Sequence, residues 1–159
     1  MLIPPGYCGN KLHDTSEEAQ LDDCNMACAG NQYEYCGAGN RLSLYLDDEK
    51  EIVEPRHPPT VGSYEFLGCR TEVPEVRALP DAILARNNMT NDMCADFCDG
   101  YTFFGTEYGG ECFCGNVLNE ESEEVDESEC GMVCGGASTE FCGEANRLSV
   151  YKLREDYDD

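Results

Sequence analysis

The stretch TNDMCADFCDGYTFFGTEYGGECFCGN, residues 90–116, decides the fold. It sets Cys94 and Cys98 four apart, and Cys112 and Cys114 two apart. Thr90 can cap a helix opening at Asn91, and Asp92 sits well against the positive end of the helix dipole. Gly100 ends that helix. Cys94 and Cys98 then share one helix face, roughly 6 Å apart. Residues 101–108 are aromatic and Thr-rich and predict a strand. Gly109-Gly110 predicts a turn, and residues 111–114 a second strand. In a strand, Cys112 and Cys114 also share a face, roughly 6.6 Å apart. The two spacings match, so the helix can lie on the strand and close two adjacent bridges, with Phe113 facing away. Spacing leaves open which sulfur joins which.

Downstream, Asp126 with Glu129 resembles a capping box and predicts a second short helix carrying Cys130 and Cys134, stopped by Gly135-Gly136. Cys142 follows close enough to Cys134 to close a small loop, which leaves Cys130 for Cys69. Leu148 and Val150 alternate with Arg147, Ser149 and Tyr151, the pattern of a closing, half-buried strand.

The chain also repeats itself. Cys8, Cys24, Cys28 and Cys36 recur 106 residues later at Cys114, Cys130, Cys134 and Cys142. The 38 positions from Cys8 to Tyr45 align without gaps to Cys114 to Tyr151, and 19 are identical. The later copy reaches upstream to Cys69 and has eight cysteines; the earlier one begins where the later is half finished. We therefore divide the chain into a truncated copy (1–46), a Pro-rich, charged, exposed linker (47–63), a complete copy (64–153) and an acidic tail (154–159). In the truncated copy Cys28 can pair with Cys36 by correspondence. The partners corresponding to Cys8 and Cys24 have no counterpart, so these two must pair with each other, with another chain, or with residues outside the chain.

Twelve cysteines in 159 residues point to disulfides and an oxidising, extracellular compartment. A module this small buries little apolar surface, and cross-links make up the difference. The net charge of -23 excludes a phosphate-binding basic stripe, hence nucleic acid, and disfavours anionic membranes. No apolar run could span a bilayer. Met1 to Gly6 does not read as a secretory leader, and the expectation is a piece of a longer protein or an incompletely read gene. Neither metal nor cofactor is expected: one cysteine pair is Cys-x-Cys, and His13 and His57 stand apart from the cysteine clusters. No Ser/His/Asp arrangement is expected from two such histidines. Carboxylate pairs such as Glu107 with Glu111 are frequent by chance in so acidic a chain, and nothing in the sequence suggests a raised pKa. The chain is not expected to be an enzyme.

Gly68-Cys69, Arg77-Ala78-Leu79, Asn88-Met89-Thr90, the Cys94/Cys98 pair, Glu111-Cys112-Phe113-Cys114-Gly115-Asn116, Phe141-Cys142-Gly143 and Asn146-Arg147-Leu148-Ser149-Val150-Tyr151 together resemble a WSC domain. The resemblance covers residues 64–153; residues 7–46 resemble the C-terminal half of another. It implies a small disulfide-rich α+β fold of the PAN/apple-like class, a short helix packed on a small antiparallel sheet. It implies the pairs Cys69–Cys130, Cys94–Cys112, Cys98–Cys114 and Cys134–Cys142. It also implies carbohydrate binding in an extracellular, cell-wall or cell-surface protein, in all expectation fungal, with polysaccharides of the β-glucan, chitin or xylan class as partners. A self-associating module of a surface stress sensor is the alternative.

Sugar binding needs flat apolar faces edged by polar groups. Tyr101, Phe103 and Tyr108 are the candidate platforms, and alternation should put Tyr101 and Phe103 on one face with Phe104 on the other. Asn116 and Arg147, polar and repeated, are candidate ligand contacts. Asn88-Met89-Thr90 is a glycosylation sequon with Asn88 as acceptor.

Overall fold

The computed structural model describes residues 6–9, 11–49 and 53–155. Residues 1–5 and 10 of the truncated copy, 50–52 of the linker and 156–159 of the acidic tail lie outside the described residues. The chain forms two compact units, Met1–Val53 and Glu54–Asp159.

The first unit holds a 3-10 turn, Leu21–Asp23, and a hairpin of β1 (Ala27–Cys28) and β2 (Asn31–Tyr35). The Cys28–Cys36 disulfide closes the hairpin.

The second unit is built on one antiparallel sheet. In chain order its elements are β3 (Thr60–Val61), β4 (Tyr64–Thr71), β5 (Ala82–Ala85), α1 (Asn91–Phe97), β6 (Phe103–Glu107), β7 (Glu111–Gly115) and β8 (Glu124–Val125). A 3-10 turn (Glu127–Glu129), β9 (Val133–Cys134), β10 (Ala137–Phe141) and β11 (Arg147–Leu153) follow. The sheet order is β3-β4-β11-β6-β7-β5, with β8 added to β4 and β9–β10 a separate hairpin.

The helix forms where the sequence places it. Thr90 Oγ1 accepts the Met93 N–H at 3.0 Å, satisfying one of the orphan donors at the helix start. Gly100, at φ 91°, takes the left-handed turn beyond its end. The Cys94–Cys112 and Cys98–Cys114 bridges then fasten α1 across β7. Cys69–Cys130 ties β4 to the end of the 3-10 turn, and Cys134–Cys142 closes the β9–β10 hairpin.

Period-two alternation divides the core. On the helix side Tyr64, Phe104 and Tyr151 pack with the Cys94, Cys98, Cys112 and Cys114 sulfurs, and the Phe104 and Tyr151 rings stack at 4.6 Å. On the other face lie Leu79, Phe113, Leu148 and Val150. Full burial of each large apolar side chain contributes about 1.5–3 kcal/mol, and the bridges make up for the small size of both clusters.

Four expectations change. No helix carries Cys130 and Cys134: the 3-10 turn ends at Cys130, and Cys134 lies in β9. A Cβ on Gly135 or Gly136 would collide with the carbonyl oxygens of Asn87 and Asn88, so this backbone lies flat against its neighbour instead of coiling. The closing strand β11 is central, not half-buried, because β4 and β6 flank it and both its faces are covered. Tyr101 and Phe103 do not share a face. Tyr101 precedes β6 and packs with the helix-side cluster, whereas Phe103 packs with the opposite one.

The fourth change concerns the linker. Residues 54–61 belong to the second unit, and His57 is only 6% exposed. Beside this segment the Arg154 side chain donates to the Gly62 carbonyl at 3.0 Å.

Candidate functional site

The turn from β6 to β7 builds the most promising site. It runs through Tyr108 at φ 52° and Gly109 at φ 71°. Two successive left-handed residues suit the right-handed twist of a hairpin, but only one of them is glycine. Tyr108 is therefore held in a conformation uncommon for an aromatic residue, with its side chain 58% exposed. A Cβ on Gly109 would collide with the Val133 carbonyl, and one on Gly110 with that of Arg86. The glycines let three backbone segments meet under the tyrosine.

Those segments frame an open groove of ≈ 620 Å³. Tyr108, Met132 and Val133 give it apolar surface; Arg86, Asn87 and Glu111 give it polar edges. A ring face bordered by a guanidinium, an amide and a carboxylate suits a sugar, with its C–H face and hydroxyl rim. Arg86, Asn87 and Met132 escaped the sequence reading. Arg86 carried a signal, as one of only 10 cationic side chains in the chain, and Met132 another, since Met26 repeats it.

The other predicted contacts lie elsewhere. Asn116 follows the far end of β7; its Oδ1 accepts the Thr102 N–H at 3.1 Å, and its own N–H donates to Asp81 at 3.0 Å. That side chain splices the start of β6 to the end of β7. Tyr101 supplies a carbonyl to the Tyr64 hydroxyl, 2.8 Å away. Phe103 is half-buried. Arg147 pairs with Glu129 at 3.0 Å and donates to the Asn146 carbonyl at 2.9 Å. Its equivalent Arg41 pairs with Asp23 and donates to Asn40 in the same way. Arg147 thus fixes a turn that the repeat carries. Asn88 is exposed beside Asn87 at the groove edge.

A second constellation sets a serine, a histidine and a glutamate side by side, where no Ser/His/Asp arrangement is expected from the sequence. His57 Nε2 lies 2.7 Å from Ser149 Oγ, and Nδ1 lies 2.9 Å from Glu127 Oε1. These are the spacings of a nucleophile, its base and an orienting carboxylate. Access is missing: Ser149 is 0% exposed, and its Oγ accepts the Gly143 N–H at 2.9 Å. Ser43 accepts the Gly37 N–H at the same distance in the truncated copy, so the hydroxyl serves the turn. Burial holds the His57 pKa below its ordinary value despite Glu127, and its ring stacks on Phe66 at 4.4 Å. The triad-like set clamps residues 54–61 to the sheet.

Glu107 also departs from expectation. Its carboxyl is pushed up to about 8, first by burial, then by hydrogen bonding and repulsion from Glu72, with Glu111 adding and Arg77 opposing. Glu107 Oε1 accepts the Asn146 N–H at 3.1 Å, and its side chain does not line the groove. Among the described residues, the Cys94, Cys98 and Cys112 sulfurs lie within 4.8 Å of one another. All three are in disulfides, so they offer no thiolates to a metal.

Comparison with known proteins gives this geometry its relatives. A protein of Chaetomium globosum, provisionally named a fungistatic metabolite, is 43% identical over 92% of this chain and 69% of its own length. A WSC domain-containing protein of Arthroderma benhamiae is 36% identical over 91% of this chain, which spans only 20% of that relative. Protein SLG1 of Saccharomyces cerevisiae is 30% identical over 59% of this chain and 24% of its own length. The WSC domain family pattern matches twice, at residues 5–38 and 66–144, one match within each copy. The chain belongs to the WSC domain family.

Proposed function

We propose that the complete copy is a non-catalytic carbohydrate-binding module of an extracellular, wall-associated protein, and that its ligand lies in the Tyr108 groove. The observation that carries this reading is the exposed Tyr108 ring, held out by a left-handed turn and bordered by Arg86, Asn87 and Glu111. The groove is open and shallow, which suits one or two residues of a long polysaccharide better than an enclosed small molecule. Ser149 and His57, the inner members of the triad-like set, are buried, which favours binding over chemistry there. Four bridges in the second unit fit an oxidising compartment. In a secreted protein Asn88 would carry its glycan at the edge of the groove.

The test is retention of the oxidised chain on insoluble β-glucan, chitin and xylan. Retention on one of them, reduced at least fivefold by Tyr108→Ala and unchanged by Asn116→Ala, is the expected result. Absence of retention on all three, from protein with its bridges verified, removes the reading.

A further inference from the structure

Asn88-Met89-Thr90 is the one glycosylation sequon in the chain, and the fold sets it in the wall of the Tyr108 groove. The Met89 N–H donates to the Arg86 carbonyl at 3.3 Å and closes a tight turn with Asn87 and Asn88 at its two corners. Both corner residues are exposed, whereas Met89 behind them is fully buried. Arg86 and Asn87 line the groove.

This turn is held rigidly against the one that carries Tyr108. The Arg86 N–H donates to the Gly110 carbonyl at 2.9 Å, and the Gly136 N–H donates to the Met89 carbonyl at 2.8 Å. The Gly135 N–H reaches the Gly109 carbonyl at 2.9 Å, so the same glycine pair joins both turns. A Cβ on Gly136 would collide with the Asn88 carbonyl oxygen, so backbone fills that side of the asparagine. The groove opens beside the other corner residue, Asn87, with the exposed Tyr108 ring across it. In the folded chain the Thr90 hydroxyl is engaged, accepting the Met93 N–H at 3.0 Å. Attachment of a sugar therefore belongs to the nascent chain, before α1 closes.

We propose that Asn88 is N-glycosylated and that the first sugar of its glycan lies on Tyr108, so that the module carries its own occupant of the groove. This rests on the reading of the groove as a sugar site. In the transfer, the Asn88 amide nitrogen bonds to the anomeric carbon of an oligosaccharide carried on a lipid pyrophosphate. The bond from that carbon to the pyrophosphate oxygen breaks, the lipid pyrophosphate leaves as an anion, and the amide nitrogen gives up one proton. The attached N-acetylglucosamine offers a C–H face to the Tyr108 ring, an acetamido methyl to Met132 and Val133, and hydroxyls to Arg86 and Asn87. A tethered sugar acts at an effective concentration on the order of millimolar. A polysaccharide must displace it, so the glycosylated module is closed and the glycan-free one open.

The test compares the full chain, secreted by a eukaryotic host, with Asn88→Gln from the same host. Peptide mapping should find Asn88 occupied. After an endoglycosidase has left a single N-acetylglucosamine, its acetamido methyl resonance should be shifted upfield by the Tyr108 ring, and Tyr108→Ala should return it to the free-sugar position. The fully glycosylated chain should be retained on insoluble polysaccharide at least fivefold less than Asn88→Gln. An unmodified Asn88, a methyl resonance indifferent to Tyr108→Ala, or equal retention of the two chains would overturn the proposal. Retention of neither chain on β-glucan, chitin or xylan would instead remove the carbohydrate-binding reading, and the methyl resonance alone would then decide whether the glycan occupies the groove.

Discussion

Tyr108, His57 and Glu107 each sit in surroundings uncommon for the residue type, and each makes a separate prediction. Glycine adopts Tyr108's φ of 52° without the cost borne by a side chain. Tyr108→Gly should therefore abolish polysaccharide retention while leaving the melting temperature unchanged or slightly higher. A substitution that loses binding only by unfolding the domain would lower it. For His57, burial depresses the folded-state pKa below 6.5. As the pH falls below about 6.5, the unfolded chain takes up the proton first, so stability declines until the folded histidine is protonated too. His57→Ala should remove that decline and cost about 1–3 kcal/mol at neutral pH, because Ser149 and Glu127 lose a partner. Glu107 acts in the opposite direction. Its folded pKa of about 8 exceeds the ordinary 4.5. Between those values the unfolded chain releases the proton and the folded one keeps it, so stability falls as the pH rises toward 8. Glu107→Gln keeps an acceptor for the Asn146 N–H and should flatten that slope in denaturant melts between pH 5 and 8.

At the scale of elements, what could be read from the sequence was what local chemistry decides. Thr90 and Gly100 mark the two ends of α1, and the alternation of Cys112, Phe113 and Cys114 places two cores on two faces of β7. Thr90→Ala should cost about 1 kcal/mol, measurable as a lower denaturant midpoint with unchanged slope. Removing one of the paired bridges, by Cys98→Ser with Cys114→Ser, should cost about 2–4 kcal/mol. The misread elements are those whose conformation depends on distant partners. A Cys-x-x-x-Cys spacing suits a helix, yet Gly135 and Gly136 are pressed against the Asn87 and Asn88 backbone. Residues 54–61 read as a charged, Pro-rich linker, but one buried histidine with Glu127 and Ser149 fastens them.

Across the whole molecule, cysteine order carried the fold class, and the repeat is matched by two stretches of the family pattern, 5–38 and 66–144. The proposed ligand face was less legible. The five candidates were chosen as aromatic or repeated polar residues, but a sheet covered on both faces consumes aromatics: Tyr101 and Phe103 pack with its two cores. Repetition marked Asn116 and Arg147, yet the structure uses the first to splice two strands and the second to fix a turn. Only Tyr108 lies in the groove, whose other walls come from segments more than 20 residues away on either side. No local pattern joins such segments; the bridges and the sheet register do.

The most direct test is an NMR titration of the 15N-labelled, oxidised chain with soluble β-glucan, chitin and xylan oligosaccharides. Binding in the groove predicts amide shifts concentrated at Arg86, Asn87, Tyr108 to Glu111 and Val133 with one of the three, and little change at Thr102 or Asn116. Shifts centred on Tyr101, Phe103 and Asn116, or none with any of the sugars, would contradict it.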